Sequence, residues 1–167
     1  LIAIALREGD ELIEARASDG NRDVILISKN GHSIRFSESE VRATGRDSMG
    51  VTGMRFCEDD DELISMIWDV QGENILFATE NGMGKRTAVD EFSNQHRGGK
   101  GVLCYKITGK TGRLVAAKAV NDGDQIMLIT SEGVIIRTSV DSVSVIGRNT
   151  SGVKLINLNK EGLKVVG

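Results

Sequence analysis

The chain has 167 residues, enough for one full-sized hydrophobic core or for a short array of repeats. Its two cysteines exclude a disulfide framework and fit a reducing compartment, and no segment has the pattern of a signal peptide or the apolar length of a membrane span. The net charge of −3 would by itself argue against a nucleic-acid partner.

The predicted elements repeat with a period of 51 residues, which indicates a solenoid, a propeller or an array. Each repeat has four apolar segments of strand length. They fall at 12–17, 24–28, 33–36 and 51–56, then at 63–68, 75–79, 84–87 and 102–107, and finally at 114–120, 126–130, 134–138 and 153–158. Residues 1–6 match the fourth segment of a preceding repeat, as an orphan strand.

Asn-Gly between the second and third segments predicts a type I′ hairpin turn, with positive φ at Asn30 and Gly31. No segment has a long helical periodicity. We therefore predict an all-β fold of repeated four-stranded antiparallel blades, assembled as in a propeller. The whole chain, 1–167, is one repeat domain with blades at about 7–57, 58–108 and 109–167. This is a partial ring with open edges, as expected for a piece of a longer chain or for a self-associating one.

The charges are segregated along the chain, so the net charge is a poor guide to partners. Residues 58–62 are all acidic, whereas residues 82–113 hold seven lysines and arginines against two acidic residues. Such asymmetry is typical of a face that binds polyanions. The alternative is two solvated surface runs.

The link between the third and fourth segments of the second repeat reads Gln-His-Arg-Gly-Gly-Lys-Gly at 95–101. Three glycines allow close approach of a partner, while Arg97 and Lys100 supply charge for phosphate. The equivalent links at 44–50 and 146–152 keep only the arginine and the last glycine. No catalytic base, nucleophile or metal set accompanies the link, which indicates a binding loop and not an active site.

These residues resemble the C-terminal domain of DNA gyrase A subunits, a β-pinwheel. Its signature, the gyrase-A box, has the form Gln-basic-Arg-Gly-Gly-basic-Gly, and residues 95–101 match it except that His96 replaces a permanently charged residue. Residues 81–89 and 146–150 also resemble the family. Since the family carries its box in the first of about six blades, with degenerate copies later, this chain is similar to the later blades.

The resemblance implies a non-catalytic domain that bends duplex DNA around a basic rim and so supports negative supercoiling by an ATP-dependent type II topoisomerase. The implied partners are double-stranded DNA, the rest of the A subunit of gyrase and the gyrase B subunit in an A2B2 enzyme. A bacterial cytoplasmic, nucleoid-associated location follows, with no membrane and no cofactor.

The candidate DNA-binding residues are the box, the repeated arginines and one lysine: Gln95, His96, Arg97, Gly98, Gly99, Lys100, Gly101, Lys85, Arg86, Arg46, Arg148, Arg35 and Arg137. For the column of Arg35, Arg86 and Arg137, the alternative is a structural arginine that binds a turn carbonyl or a carboxylate in every blade.

Other interpretations have less support. Gly109-Lys110-Thr111 resembles the end of a P-loop but lacks its upstream glycine and its strand-loop-helix unit. The cysteines and histidines have no paired close spacing, so no metal site is predicted. The acidic run at 58–62 is expected to be a solvated turn, with cation binding as the alternative. Two functional alternatives stay open: the C-terminal domain of a topoisomerase IV A subunit, and a protein-interaction propeller without DNA activity.

Overall fold

The computed structural model describes all residues from Leu1 to Gly167 and is built from ten β-strands and three short 3₁₀ helices. The 3₁₀ helices are Glu38–Glu40, Val89–Glu91 and Val140–Ser142, so no helix has the length or apolar character needed to cross a membrane. The strands are β1 Asp23–Ser28, β2 His32–Ser37, β3 Leu63–Trp68, β4 Asn74–Thr79, β5 Met83–Ala88, β6 Val102–Leu103, β7 Leu114–Val120, β8 Gln125–Ile129, β9 Ile135–Ser139 and β10 Val153–Lys154.

Each complete sheet takes its strands from two neighbouring repeats. In the first sheet the order is β3-β1-β2-β6, and in the second it is β10-β5-β4-β7, with every pair antiparallel. The inner hairpin comes from one repeat, and the two outer strands are the first and fourth segments of the next repeat. Neighbouring repeats are therefore tied together by main-chain hydrogen bonds.

This exchange means that the sheets do not follow the contiguous ranges 7–57, 58–108 and 109–167. A four-stranded antiparallel unit is present, as predicted, but it crosses the boundary between two repeats. Residues 1–6, 12–17 and 51–56, predicted as strands, form none. The physical reason is that first and fourth segments pair with the hairpin of the preceding repeat, and residues 1–167 contain no hairpin before β1.

The hairpin turns differ from the predicted type I′ geometry. Gly31 has φ of 89°, but no residue other than glycine has positive φ, so Asn30 does not. The connection from β1 to β2 has three residues, and the main-chain N–H of Gly31 donates to the carbonyl of Ser28 at 3.1 Å. A hairpin of this length needs one left-handed residue, which the glycine supplies. The prediction of a tight hairpin is confirmed, and that of its turn type is wrong.

The main core lies between the first two sheets. Ile25 and Ile27 of β1 face Ile75 and Phe77 of β4, and all four side chains are fully buried. Tyr105 joins this core, with its ring edge-on to Phe77 at a centroid distance of 5.9 Å. The second sheet is covered on both faces, because blades flank it on both sides.

The third sheet is incomplete within these residues. It contains only β8 and β9, which correspond to the inner hairpins of the other two sheets. Met127, Ile129 and Ile135 are exposed on it, whereas the equivalent positions in β4 and β5 are buried. They are exposed because no outer strand among these residues flanks β8 or β9.

Candidate nucleic-acid interface

Two equivalent loops, 95–101 and 146–152, lie against the third segment of the preceding repeat. The main-chain N–H of Gln95 donates to the carbonyl of Arg35 at 2.6 Å, and that of Ile146 donates to the carbonyl of Arg86 at 2.8 Å. Each loop follows a 3₁₀ helix that turns the chain from one blade towards the next. The loops therefore lie at the same place on successive blades, as a rim of phosphate-binding loops would require.

The arginine of each loop clamps the loop to the preceding repeat. Arg97 donates from Nη1 to the carbonyl of Thr52 at 2.7 Å, and its main-chain N–H donates to the Glu40 carboxylate at 2.8 Å. Arg148 repeats both contacts one period later, with the carbonyl of Leu103 at 3.0 Å and the Glu91 carboxylate at 3.1 Å. The invariant arginine therefore has a structural role in both loops.

Glu40 also organises the electrostatics of the second loop. Besides the N–H of Arg97, it contacts the ring Nδ1 of His96 at 3.2 Å. The hydrogen bond from the Arg97 main chain, assisted by His96, holds the pKa of the Glu40 carboxyl below its ordinary value. Since the His96 side chain is 98% exposed, its other edge is open to a partner.

The glycines of the loop make contacts between blades. Gly98 donates from its N–H to the carbonyl of Gly53 at 2.8 Å, and the carbonyl of Gly99 accepts from the N–H of Arg55 at 2.9 Å. Gly101 has φ of 74°, and a Cβ there would lie 2.0 Å from the carbonyl oxygen of Ser33. The partner that these glycines approach closely is thus the preceding repeat, which accounts for the invariant last glycine.

The three equivalent arginines, Arg35, Arg86 and Arg137, have different surroundings: the first two make structural contacts and the third is exposed. Arg35 contacts the carboxylates of Asp23 at 2.9 Å and Asp69 at 3.5 Å. Arg86 is only 6% exposed and donates to the carbonyl of Val143 at 2.8 Å, besides an ion pair with Asp122. Arg137 lies on the incomplete third sheet and is exposed. For the first two, the structure supports the alternative of a structural arginine.

Lys85 was predicted to lie on the DNA-binding rim, and the structure contradicts this prediction. Its side chain is fully buried, and Nζ donates to the carbonyls of Gly147 at 2.8 Å and Arg148 at 2.7 Å and to both oxygens of Thr150. The ammonium also lies 4.9 Å from the centroid of the Tyr105 ring. A lysine enclosed in this way holds the 146–152 loop in place and offers no charge to a duplex.

The remaining predicted residues are accessible to different degrees. Lys100, His96 and Arg46 are exposed, and Gln95 is half-buried. Arg97 and Arg148 are half-buried through the contacts described above. The exposed basic side chains of the predicted set are therefore Lys100, Arg46 and Arg137, and the exposed His96 lies on the same loop as Lys100.

Two exposed basic residues beside the loops were not among those predicted from the sequence. The N–H of Arg55 donates to the carbonyl of Gly99 at 2.9 Å, and the N–H of Lys106 donates to the carbonyl of Thr150 at 3.0 Å. Both side chains are exposed. They are one 51-residue period apart, which is the signal that could have found them. Each loop thus has an exposed basic residue of the preceding repeat at its edge.

Taken together, the fold and these loops define a propeller-like repeat domain whose blades carry basic connecting loops at equivalent positions. A family model described as DNA gyrase C-terminal domain, beta-propeller, matches residues 22–67, 73–121 and 124–163. These segments make up most of the chain, which therefore belongs to this family. The predicted family and the predicted pinwheel fold are confirmed.

Curated relatives agree with this assignment. The chain is 47% identical over 165 residues to the A subunit of DNA gyrase from Pseudomonas aeruginosa, covering 99% of this chain and 18% of the relative. It is 46% identical over 166 residues to the A subunit of DNA gyrase from Escherichia coli strain K12, covering 99% of this chain and 19% of the relative. The chain thus spans about a fifth of the length of these relatives.

Solved structures share the fold. A DNA gyrase A C-terminal domain superposes with a TM-score of 0.90 at 30% identity, covering 100% of this chain and 56% of that one. The C-terminal domain of a DNA topoisomerase IV also gives a TM-score of 0.90, at 26% identity, covering 99% of this chain and 51% of that one. Backbone similarity therefore does not separate the two kinds of topoisomerase.

Proposed function

We propose that this chain binds and bends duplex DNA along its rim of basic loops, as a non-catalytic part of a DNA gyrase A subunit. The supporting observation is that equivalent loops on successive blades carry exposed basic side chains on or beside them. Lys100 lies on one loop, and Arg55 and Lys106 lie at the edges of two. Spaced charges of this kind suit a phosphate backbone that passes from blade to blade.

Contact with several blades in turn would bend the duplex. Smooth bending of a 20–30 bp site by 40–90° costs roughly 1–6 kcal/mol, and phosphate contacts spread along the rim would offset this cost. The mode is backbone contact combined with deformability, because the loops supply charge and present no helix for a groove. In the parent enzyme, the wrapped segment would be passed with one handedness, giving negative supercoiling.

The proposed partners are double-stranded DNA, the rest of the A subunit of gyrase and the gyrase B subunit, with DNA cleavage and ATP hydrolysis residing outside this chain. The proposed location is the bacterial cytoplasm, on the nucleoid. Gyrase is favoured over topoisomerase IV because the curated relatives at 47% and 46% identity are gyrase A subunits, whereas the topoisomerase IV structure is 26% identical.

Binding is tested by fluorescence anisotropy with a duplex of about 40 bp, titrated from low to high salt. We expect a steep linear fall of log affinity with log salt concentration. Combined replacement of Arg55, Lys100 and Lys106 by alanine should lower affinity for all sequences and reduce the magnitude of the salt slope by up to about 3, roughly one for each basic side chain removed from a phosphate.

The control is Lys110→Ala, which removes an exposed lysine from the turn at 108–112, next to the hairpin end of the second sheet. The carbonyl of Lys110 accepts from Asn81 at 3.2 Å, so this lysine belongs to the hairpin turns and not to the box loops. If the triple variant bound DNA as tightly as the control, this result would contradict the proposed DNA-binding rim. Absence of binding even at low salt would instead favour a protein-interaction role.

A further inference from the structure

The loop after the first repeat brings three different metal-binding groups to the beginning of β2. One potential ligand atom from each of His32, Cys57 and Glu58 lies within 4.8 Å of the other two. Nε2 of His32 is already 3.6 Å from Oε2 of Glu58. Imidazole nitrogen, thiolate sulfur and carboxylate oxygen are the three donor types that zinc takes from proteins.

The loop is held in place by contacts that do not involve the three donors. The N–H of Lys29 donates to the carbonyl of Glu62 at 2.8 Å, and the N–H of Asn30 donates to the Asp61 carboxylate at 2.9 Å. Arg113 adds a third tie, because Nη2 donates to the carbonyl of Asp60 at 2.6 Å while Nε donates to the side-chain carbonyl of Asn30 at 2.8 Å. The donors are thus brought together by the fold before any ion binds, which lowers the cost of binding.

The same turn contains an unsatisfied buried carboxylate. Asp61 is 7% exposed, and its Oδ2 is the only buried side-chain nitrogen or oxygen in the molecule without a hydrogen-bond partner. Its N–H donates to the carbonyl of Glu58 at 3.3 Å, so it closes the turn that begins at a donor. A buried carboxylate oxygen without a hydrogen bond is costly, and the positive charge of a cation bound at this turn would offset that cost.

Comparison between repeats shows that the fold does not require these donors. The residues equivalent to His32 are Met83 and Val134. Those equivalent to Cys57 are Thr108 and Asn159, and those equivalent to Glu58 are Gly109 and Lys160. Three metal-binding residues therefore coincide in one repeat, and none of the three is present in the other two.

We propose that His32 Nε2, Cys57 Sγ and the Glu58 carboxylate bind one divalent ion of the zinc class, with water as a fourth ligand. Tetrahedral zinc places its ligand atoms roughly 3.3–3.8 Å apart, given bonds of about 2.0–2.3 Å. The His32–Glu58 pair already meets this spacing. Cys57 and Glu58 are exposed, so rotation of their side chains closes the rest of the gap. The ion would fasten the 57–62 loop to β2.

This site differs from the set of cysteines and histidines considered in the sequence. Cys104 is fully buried in the main core, and His96 lies on the box loop. His32 is 25 positions before Cys57, which hides the site from any search for closely spaced ligands. Only the packing of the loop on the hairpin turn reveals it.

The test is titration of the chain with Co²⁺, followed by absorption. A thiolate ligand gives a charge-transfer band in the near ultraviolet, and tetrahedral cobalt gives intense visible bands. We expect saturation at one equivalent, loss of the charge-transfer band in Cys57→Thr, and at least about 10-fold weaker binding in His32→Met. Both substitutions copy the residue of the second repeat, and Cys104 is present in every variant.

Glu62→Gln is the matched control, because it removes an acidic charge from the same loop and leaves the three donors intact. It should leave the cobalt spectrum and affinity close to those of the unsubstituted chain. A cobalt spectrum without a thiolate band, or a band that persists in Cys57→Thr, would overturn the proposal. So would an equal loss of affinity in the control, which would indicate diffuse attraction to an acidic loop.

A second measurement needs no variant. Zn²⁺ should slow alkylation of Cys57 by iodoacetamide at least about 10-fold if the sulfur is a ligand. Mass spectrometry of the modified peptides reports on Cys57 and Cys104 separately, and the buried Cys104 serves as the internal reference. Alkylation of Cys57 at the same rate with and without Zn²⁺ would overturn the site.

Discussion

Arg97 of the box loop donates from Nη1 to the main-chain carbonyl of Thr52 at 2.7 Å, and this bond joins the second repeat to the fourth segment of the first. The same geometry recurs one period later between Arg148 and Leu103. An arginine that is expected from its motif to bind phosphate is therefore also part of the joint between blades. Its loss should affect folding as well as binding, and the two effects have to be measured separately.

Arg97→Ala should lower the free energy of unfolding by about 1 kcal/mol, because the carbonyls of Thr52 and Glu40 lose a charged donor while water reaches the half-buried site. Arg46→Ala, at the equivalent exposed position of the first repeat, should stay within about 0.5 kcal/mol. Urea denaturation measures both. Equal losses of stability in the two variants would contradict a structural role for the hydrogen bonds of Arg97.

Gly101→Ala should destabilise the chain by several kcal/mol, about 3 or more. The added Cβ would lie 2.0 Å from the carbonyl oxygen of Ser33, in a residue whose φ is 74°. Gly109→Ala is the control, since no atom lies within 4 Å of its Cβ position and its φ is not positive. Thermal unfolding followed by circular dichroism should separate the two variants, and similar midpoints would disprove the close approach of the two repeats at Gly101.

Arg86→Ala should cost about 1–3 kcal/mol, because it leaves the carbonyl of Val143 without its buried donor, whereas the exposed Asp122 carboxylate is rehydrated. Arg137→Ala, one period later and exposed, should cost less than about 0.5 kcal/mol. Chemical denaturation of the pair measures the difference. A larger loss of stability in Arg137→Ala than in Arg86→Ala would contradict the structural role of Arg86.

The repeat, the hairpins and the turn glycines could be predicted because they depend on residues close together in sequence. The pairing of strands between repeats could not be predicted. Similar apolar segments recur every 51 residues, and their sequences do not show which copy each one pairs with.

Lys85 illustrates the consequence. Its four oxygen partners come from a loop more than 60 residues away, so a lysine in a basic stretch was predicted to be exposed and is enclosed.

Stability should rise with pH between about 8 and 10.5 through Lys85. Burial lowers the pKa of this ammonium from 10.5 to about 8, so in that range the unfolded chain binds more protons than the folded one. The contribution amounts to about 1 kcal/mol between pH 7 and pH 9. Below about pH 7 the cost of the buried charge is present in full.

Urea denaturation of the unsubstituted chain and of Lys85→Met at pH 7, 8 and 9 isolates this contribution, because the variant lacks the titrating group. The window ends at pH 9 because burial raises the pKa of Cys104 from 9.0 to about 12, and the unfolded thiol is already half ionised at pH 9. A stability difference between the two proteins that does not change with pH would refute the assignment.

Bending of DNA along the rim is tested most directly by energy transfer between dyes at the two ends of a duplex of about 40 bp. Saturating chain at low salt should bring the ends closer, and the effect should be lost when Arg55, Lys100 and Lys106 are replaced by alanine but kept in Lys110→Ala. Binding without any change in end-to-end distance would contradict the proposed wrapping, because a phosphate backbone that follows loops on successive blades cannot stay straight.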